Sequence, residues 1–284
     1  MSKQAIRISA DSTCDLSPEL LAQYGIETLP LYAVLEGKAY KDGVEITPDD
    51  IYAKVKETGK IGSTAAINVD EYLTFFTRLR ESCDTIIHFT ISSEMSSCYQ
   101  NACIAAEDVG GIYVIDSRNL STGIGLMVLR ACELAQSGMA AEDIVSYLRD
   151  MADRVDATFI PESLDYLKMG GRCSAATALS ASLLRIKPCI QVREGTMVVG
   201  KKYTGAMEPV LMKYVKDRLS DLEKVDLSRV FITHSGMNKP ELVDTVREAV
   251  LAIAPFEDVQ VTRAGCTVSM HCGPNTLGVL FCKK

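Results

Sequence analysis

Short runs rich in β-branched residues alternate along the chain with longer amphipathic stretches. The runs predict strands over residues 5–9, 29–35, 85–90, 111–115, 157–161, 230–234, 259–262 and 277–282. Apolar positions at helical spacing predict helices over 69–80, 123–136, 141–152 and 239–253. Ser17-Pro18-Glu19 and Thr47-Pro48-Asp49-Asp50 each supply an N-cap, a first-turn proline and first-turn acids, so helices start there as well. Strands alternating with helices imply parallel pairing under helical cover. Residues 154–174 carry no long period, and Gly170-Gly171 interrupts them. That change of pattern sets a boundary near 155. The expected fold class is α/β, with two domains (1–155 and 156–284) built on helix-covered, largely parallel sheets. No internal repeat is visible.

Charge and composition narrow the function. The 284 residues carry 30 basic and 37 acidic side chains, a net charge of −7, with no Trp and 6% aromatics. Such a chain gains little from phosphate counterion release and has few stacking platforms, so no nucleic-acid partner is expected. Ten cysteines form no CxxC pair, and Cys103, Cys132, Cys189 and Cys282 sit inside apolar runs. They read as reduced, buried thiols of a cytoplasmic protein. Met1-Ser2-Lys3-Gln4 leads straight into the first strand with no signal peptide, and no apolar stretch is long enough for stable membrane insertion. His88, His234 and His271 lack ligand spacing, so no metal is expected. His88 reads as core and His234 as a turn residue. Gly59-Lys60-Ile61-Gly62-Ser63-Thr64 departs from a phosphate loop at Ile61, and Gly123-Ile124-Gly125 lacks a third glycine, so no nucleotide cofactor is expected.

Ligands of open α/β sheets bind beyond the carboxyl ends of the strands. Hydroxyls gather there: Asp11-Ser12-Thr13 follows the first strand, and Ser92, Ser93, Ser96 and Ser97 follow the third. The spacing of Met95, Tyr99, Ala102 and Ala106 puts those four serines at a helix N-terminus, where free N–H groups and hydroxyls suit a carboxylate or a phosphate. A capping serine with solvated neighbours fits the same pattern. His271 stands in a donor-rich turn before the last strand, and Arg172 follows Gly170-Gly171. Asp11, Ser96 and His271 also allow a hydrolase or phosphoryl-transfer enzyme, although no G-x-S-x-G elbow exists.

The order of motifs resembles the DegV family. Asp11-Ser12-Thr13-Cys14-Asp15-Leu16, Tyr40-Lys41-Asp42-Gly43, Ser92–Gln100, Val114-Ile115-Asp116-Ser117, Leu164–Arg172, Ile186-Lys187-Pro188 and His271–Gly278 follow one another as in its members. The resemblance implies two α/β domains with one long-chain fatty acid in the cleft between them. It implies a carboxylate held by Thr64, Ser96 and Ser93, with His271, Arg172 and Asp11 near the head group. It further implies a carrier with no turnover of its own, which presents the fatty acid to a separate ATP-dependent fatty acid kinase. The setting it implies is phospholipid metabolism, and the sequence does not choose between phospholipid synthesis and signalling as the use of the acyl group. Two departures stand out. Glu94 and Ser97 replace glycines of the carboxylate turn, and Ala65-Ala66-Ile67-Asn68 replaces the residues after the loop threonine. Glu94 is expected to face solvent, since a carboxylate pointing inward would repel the ligand. At about 0.8 kcal/mol per buried CH₂, roughly fourteen methylenes gain ~11 kcal/mol before ordering costs.

Overall fold

The computed structural model describes residues 4–173 and 186–284. Met1–Lys3, read as the lead-in to the first strand, and Ser174, the end of the unpatterned segment, lie outside the described residues. Three sheets organise the rest. The first is parallel throughout, in the order β2-β1-β6-β7, from β1 (Gln4–Asp11), β2 (Glu27–Leu29), β6 (Cys83–Thr90) and β7 (Ile112–Asp116). In it Ile8 pairs with Ile87, and His88 with Val114. Helices α3 (Val69–Arg80) and α4 (Cys98–Val109) pack together on this sheet, as do α5 (Thr122–Gln136) and α6 (Ala141–Ala152).

The second sheet, β10-β9-β8-β13-β11-β12, departs from the parallel expectation. It comprises β8 (Val155–Ile160), β9 (Ile186–Arg193), β10 (Thr196–Thr204), β11 (Val225–His234), β12 (Asp258–Arg263) and β13 (Leu277–Lys283). Only β11 and β12 run parallel, and they are the pair joined by a crossover helix, α9 (Glu241–Ile253). Strands β9 and β10 instead form a two-residue hairpin at Glu194-Gly195, both with positive φ, the backbone a primed turn requires. Helices α8 (Met207–Arg218) and α9 contribute to the apolar cluster on this sheet.

Between the two sheets lies α5. Eleven of its fifteen residues are buried, and it touches β1 and β6 on one side and β8, β11 and β13 on the other. A helix apolar all round is a helix covered all round. Gly125 serves this packing, because a methyl group there would come within 2.8 Å of Leu16 Cδ2. One core cluster therefore runs from Ile8 through α5 to Phe231 and Leu280.

A small third sheet corrects the strand expected over 29–35. Pro30 has no N–H to donate to a ladder, and the chain leaves the first sheet there. Residues beyond it form β3 (Tyr32–Leu35), antiparallel to β4 (Lys38–Lys41) and β5 (Ser63–Ala65). Two helices cover this sheet, α2 (Pro48–Thr58) and α10 (Cys266–Cys272). The expected caps are present. Ser17 Oγ accepts from Leu20 N–H, and Thr47 and Asp50 form a reciprocal capping box. No disulfide links the ten cysteines; nine are buried and Cys103 is half-buried. Burial pushes the thiols of Cys14 and Cys132 up to about 12, which keeps them protonated and inert.

Candidate functional site

The carboxyl ends of β2, β6 and β7 point to one edge of the first sheet, and the loops beyond them meet α10 and β5 there. Their meeting encloses a cavity of about 180 Å³. Thr64, Ser96, Ser97, Arg172 and His271 line its polar part, and Leu31, Ile91, Met95, Leu120, Met197 and Val268 much of the rest. Both halves of the chain contribute to the wall.

Thr64 sits on β5, paired with Ala33, and its Oγ1 lies 2.9 Å from His271 Nε2. His271 occupies the last turn of α10, not the turn its sequence suggested. Burial and, less, the Arg172 guanidinium hold its imidazole down to about 4, so the ring is neutral at pH 7. Nδ1 is buried without a partner among the described residues. A proton there would be an orphaned donor, so the favoured tautomer carries it on Nε2 and donates to Thr64 Oγ1. The threonine hydroxyl proton is then free to be donated to an anion in the cavity.

The shift of His271 makes stability depend on pH. In the unfolded chain the ring titrates near 6.5, so its contribution is fully present above that pH and is lost as pH falls toward 4. Over that window the stability difference between wild type and His271→Gln should narrow by about 1.4 kcal/mol per pH unit. Urea unfolding at several pH values measures it. A difference that does not change with pH overturns the assignment.

The serine turn divides its labour. Helix α4 begins at Cys98, later than the spacing suggested, so Ser92 and Ser93 precede it in a loop. Ser96 Oγ accepts from Cys98 N–H at 3.3 Å and faces the cavity. Ser92 Oγ donates to the Gly195 carbonyl at 2.7 Å, tying the β9–β10 hairpin to the turn. Ser93, expected at the carboxylate, is outside the cavity wall; its hydroxyl and its N–H both donate to Asp116. A side chain with a carboxylate partner at 2.6 Å has little reason to turn inward. Glu94 is exposed and does not line the cavity.

Asp11 is not in the wall either. It is fully buried and accepts from Tyr72 Oη at 2.7 Å and Ile91 N–H at 3.3 Å, with His88 Nε2 at 3.2 Å. His88 Nδ1 in turn meets Ser9 Oγ at 2.9 Å. Ser9, His88 and Asp11 thus form a chain of hydrogen bonds with no solvent access, a core network and not a nucleophile. The alternative catalytic set of Asp11, Ser96 and His271 is not assembled, since Asp11 is committed to that network. Arg172 stands at the cavity, where it donates to the carbonyls of Gly170 and Met95 and makes no ion pair among the described residues. Lys201 is bound to Asp217 at 2.6 Å and lies outside this wall.

The main contributor that sequence reading missed is α10. It brings Thr267, Val268, His271 and Cys272 to the cavity. Gly273-Pro274 directly after it is the signal that marks a helix C-terminus. Two buried aspartates hold its start. Asp42 accepts from Cys266 N–H at 2.7 Å and Thr267 N–H at 3.0 Å, and Asp15 accepts from Gly265 N–H at 2.8 Å.

A family model described as an uncharacterised protein of the DegV family matches residues 5–284. The chain belongs to the DegV family. A DegV domain-containing protein of Caldanaerobacter subterraneus is 31% identical over 99% of this chain and 100% of its own length. Among solved structures, the fatty-acid-binding DegV family protein of Thermus thermophilus superposes with a TM-score of 0.88 at 30% identity, covering 99% of this chain and 100% of that one. DegV of Bacillus subtilis, a fatty acid binding protein, gives 0.84 at 26%, with 99% and 100% coverage. The DegV fold thus accounts for the parallel first sheet and the mixed second sheet together. Among the described residues, no helix is long and apolar enough to cross a membrane, and no group of three His, Cys, Asp or Glu side chains is placed to hold a metal ion.

Proposed function

We propose that this DegV protein binds one long-chain fatty acid, with its carboxylate at Thr64 and Ser96 and its chain in the apolar remainder of the cavity. The observation that carries the reading is that one cavity brings together the hydroxyls of Thr64 and Ser96 and the aliphatic side chains of Leu31, Ile91, Leu120 and Val268. His271 acts behind Thr64 by fixing its hydroxyl, and Arg172, which makes no ion pair among the described residues, adds a positive charge beside the head group. The fatty acids bound by the Thermus thermophilus and Bacillus subtilis relatives support the same ligand class. In this reading residues 1–155 supply the head-group loops and residues 156–284 close over the chain. The protein is a cytoplasmic carrier, and a separate ATP-dependent fatty acid kinase phosphorylates the carboxylate it presents.

Native mass measurement before and after organic extraction tests the ligand. A mass excess that extracts as a fatty acid is expected; no excess, with no uptake of added palmitic acid, sinks the reading. Hydrogen bonds to a charged group contribute about 1.5–3 kcal/mol each, so Thr64→Val with Ser96→Ala should weaken retention on the order of a hundredfold or more. Unchanged retention would move the carboxylate elsewhere. The carrier role is tested by adding the loaded protein, ATP and a purified fatty acid kinase: acyl phosphate should form only with all three present.

A further inference from the structure

The acyl cavity shares part of its wall with a second space. Leu120, Val268 and Cys272 are shared with a second, smaller cavity of about 30 Å³ between α5, α10 and the second sheet. The hydroxyls around that smaller cavity are spent inside the protein. Ser235 Oγ donates to the Gly273 carbonyl at 2.5 Å, Thr276 Oγ1 to the Cys272 carbonyl at 2.9 Å, and Thr233 Oγ1 meets Thr122 Oγ1 at 2.6 Å. What faces the space is therefore apolar, apart from His234.

His234 is also wall to a third space. On the outer surface lies a groove of about 670 Å³, lined by Tyr52, Val55, Tyr166, Met237, Val243 and Pro274, with the Asp49–Arg263 ion pair at its rim. The backbone between the two spaces is fixed. Ala264 N–H donates to the His234 carbonyl at 2.9 Å, Tyr52 Oη to the Ser235 carbonyl at 2.9 Å, and Asn275 N–H to the Gly236 carbonyl at 2.8 Å. The imidazole is held at one nitrogen. The bond that holds it comes from Gly236 N–H to Nδ1 at 3.1 Å. A backbone N–H can only donate, so Nδ1 is the bare nitrogen.

We propose that the His234 imidazole is a gate at the far end of the acyl cavity, which swings aside to let the terminal methylenes of longer fatty acids pass into the outer groove. This rests on the fatty-acid reading above and makes His234 a determinant of chain length. Continuity identifies the occupant. His234 stands between the groove and the smaller cavity, and Leu120, Val268 and Cys272 stand between that cavity and the space assigned to the acyl chain. Beside the polar Asp49, Lys56, Asn238 and Arg263, the groove's Tyr52, Val55, Tyr166, Met237 and Val243 offer a methylene chain burial it would lack in water.

The test is competitive loading. The protein is incubated with an equimolar mixture of palmitic, stearic, arachidic and behenic acids, and the retained acids are extracted and quantified. For His234→Ala the ratio of behenic to palmitic acid should rise on the order of tenfold over wild type, the equivalent of about two further buried methylenes. Adding Met237→Glu, which puts a charge in the groove, should cancel that rise. Met237→Glu alone should lower the ratio without lowering palmitic acid retention, and it stands as a test even where His234→Ala fails to fold. Equal ratios in wild type, His234→Ala and Met237→Glu, with palmitic acid retained by each, overturn the gate and leave the carrier reading standing. A wild type that retains none of the four acids overturns the carrier reading itself.

Discussion

Replacing Gly170 by Ala is expected to weaken fatty acid retention by about ten- to a hundredfold, with about 1–3 kcal/mol of stability lost to crowding of a buried ring. Gly170 is the last residue of α7 (Asp165–Gly170), and a methyl group on it would drive into the His271 ring, onto Nδ1 and to within 3.0 Å of Cε1. The φ of Gly170 is not in the left-handed region, so Ala is tolerated by the backbone and the conflict falls on the imidazole. The ring must turn, and the 2.9 Å contact with Thr64 Oγ1 is lost. Losing a hydrogen bond that orients a donor toward a charged ligand is worth about 1.5–3 kcal/mol, which sets the stated range. Its neighbour provides the opposite control. Gly171 has φ +67 with open space around it, so Gly171→Ala strains the backbone by about 1 kcal/mol and leaves His271 where it is. Extracted fatty acid per mole of protein should therefore separate the two variants, with ligand lost in Gly170→Ala and kept in Gly171→Ala. If both lose ligand equally, His271 is not what Gly170 makes room for.

This glycine also shows where sequence reading reached and where it stopped. Gly170-Gly171 was legible as an interruption, because breaking a helical period is a local property. That one of the two glycines makes room for an imidazole about a hundred residues later is a tertiary fact with no local trace. The same division runs through the fold. Helices α3 and α6 were legible to the residue, since their periods are local. The mixed order of the second sheet was not, because pairing direction depends on connections the alternation pattern does not encode. The β9–β10 hairpin did carry a readable sign, a Glu-Gly pair between two alternating runs. At the site, Thr64, Ser96, His271 and Arg172 share one wall, and family resemblance, not spacing, singled out Thr64. Ser93 and Asp11 carry the right chemistry in the right loops. Their side chains are claimed by Asp116 and by the Tyr72–His88 network, and a competition for partners leaves no mark in the sequence.

Asp42→Asn is expected to cost about 2–4 kcal/mol of stability and to lower fatty acid retention with it, although Asp42 touches no ligand. Asp42 is 4% exposed and takes two consecutive N–H groups at the start of α10, one on each oxygen, with Ser12 Oγ at 3.3 Å as a third donor. The first N–H groups of any helix have no partner within it, and a helix of seven residues has few bonds of its own to lose. An asparagine presents one carbonyl where the carboxylate presents two oxygens. Its amide would face a backbone donor, so at least one buried N–H is left without an acceptor, at about 1–3 kcal/mol, in addition to the lost charge-assisted bond. Asp15 cannot take over. It already accepts from Gly265 N–H and Ser121, and burial, with a smaller push from the Asp42 charge, raises it to about 8. Both carboxylates converge on Gly265, where a methyl group would lie 3.1 Å from Asp15 Oδ1 and 3.2 Å from Asp42 Oδ1. Because α10 carries Thr267, Val268, His271 and Cys272, loosening its first turn loosens one wall of the acyl cavity. Asp49→Asn removes an exposed carboxylate from the Arg263 pair and should cost less than about 1 kcal/mol, which calibrates the comparison. Urea unfolding of the three proteins decides it. An Asp42→Asn midpoint as close to wild type as that of Asp49→Asn would mean that packing against the third sheet, and not the carboxylate, holds α10 in place.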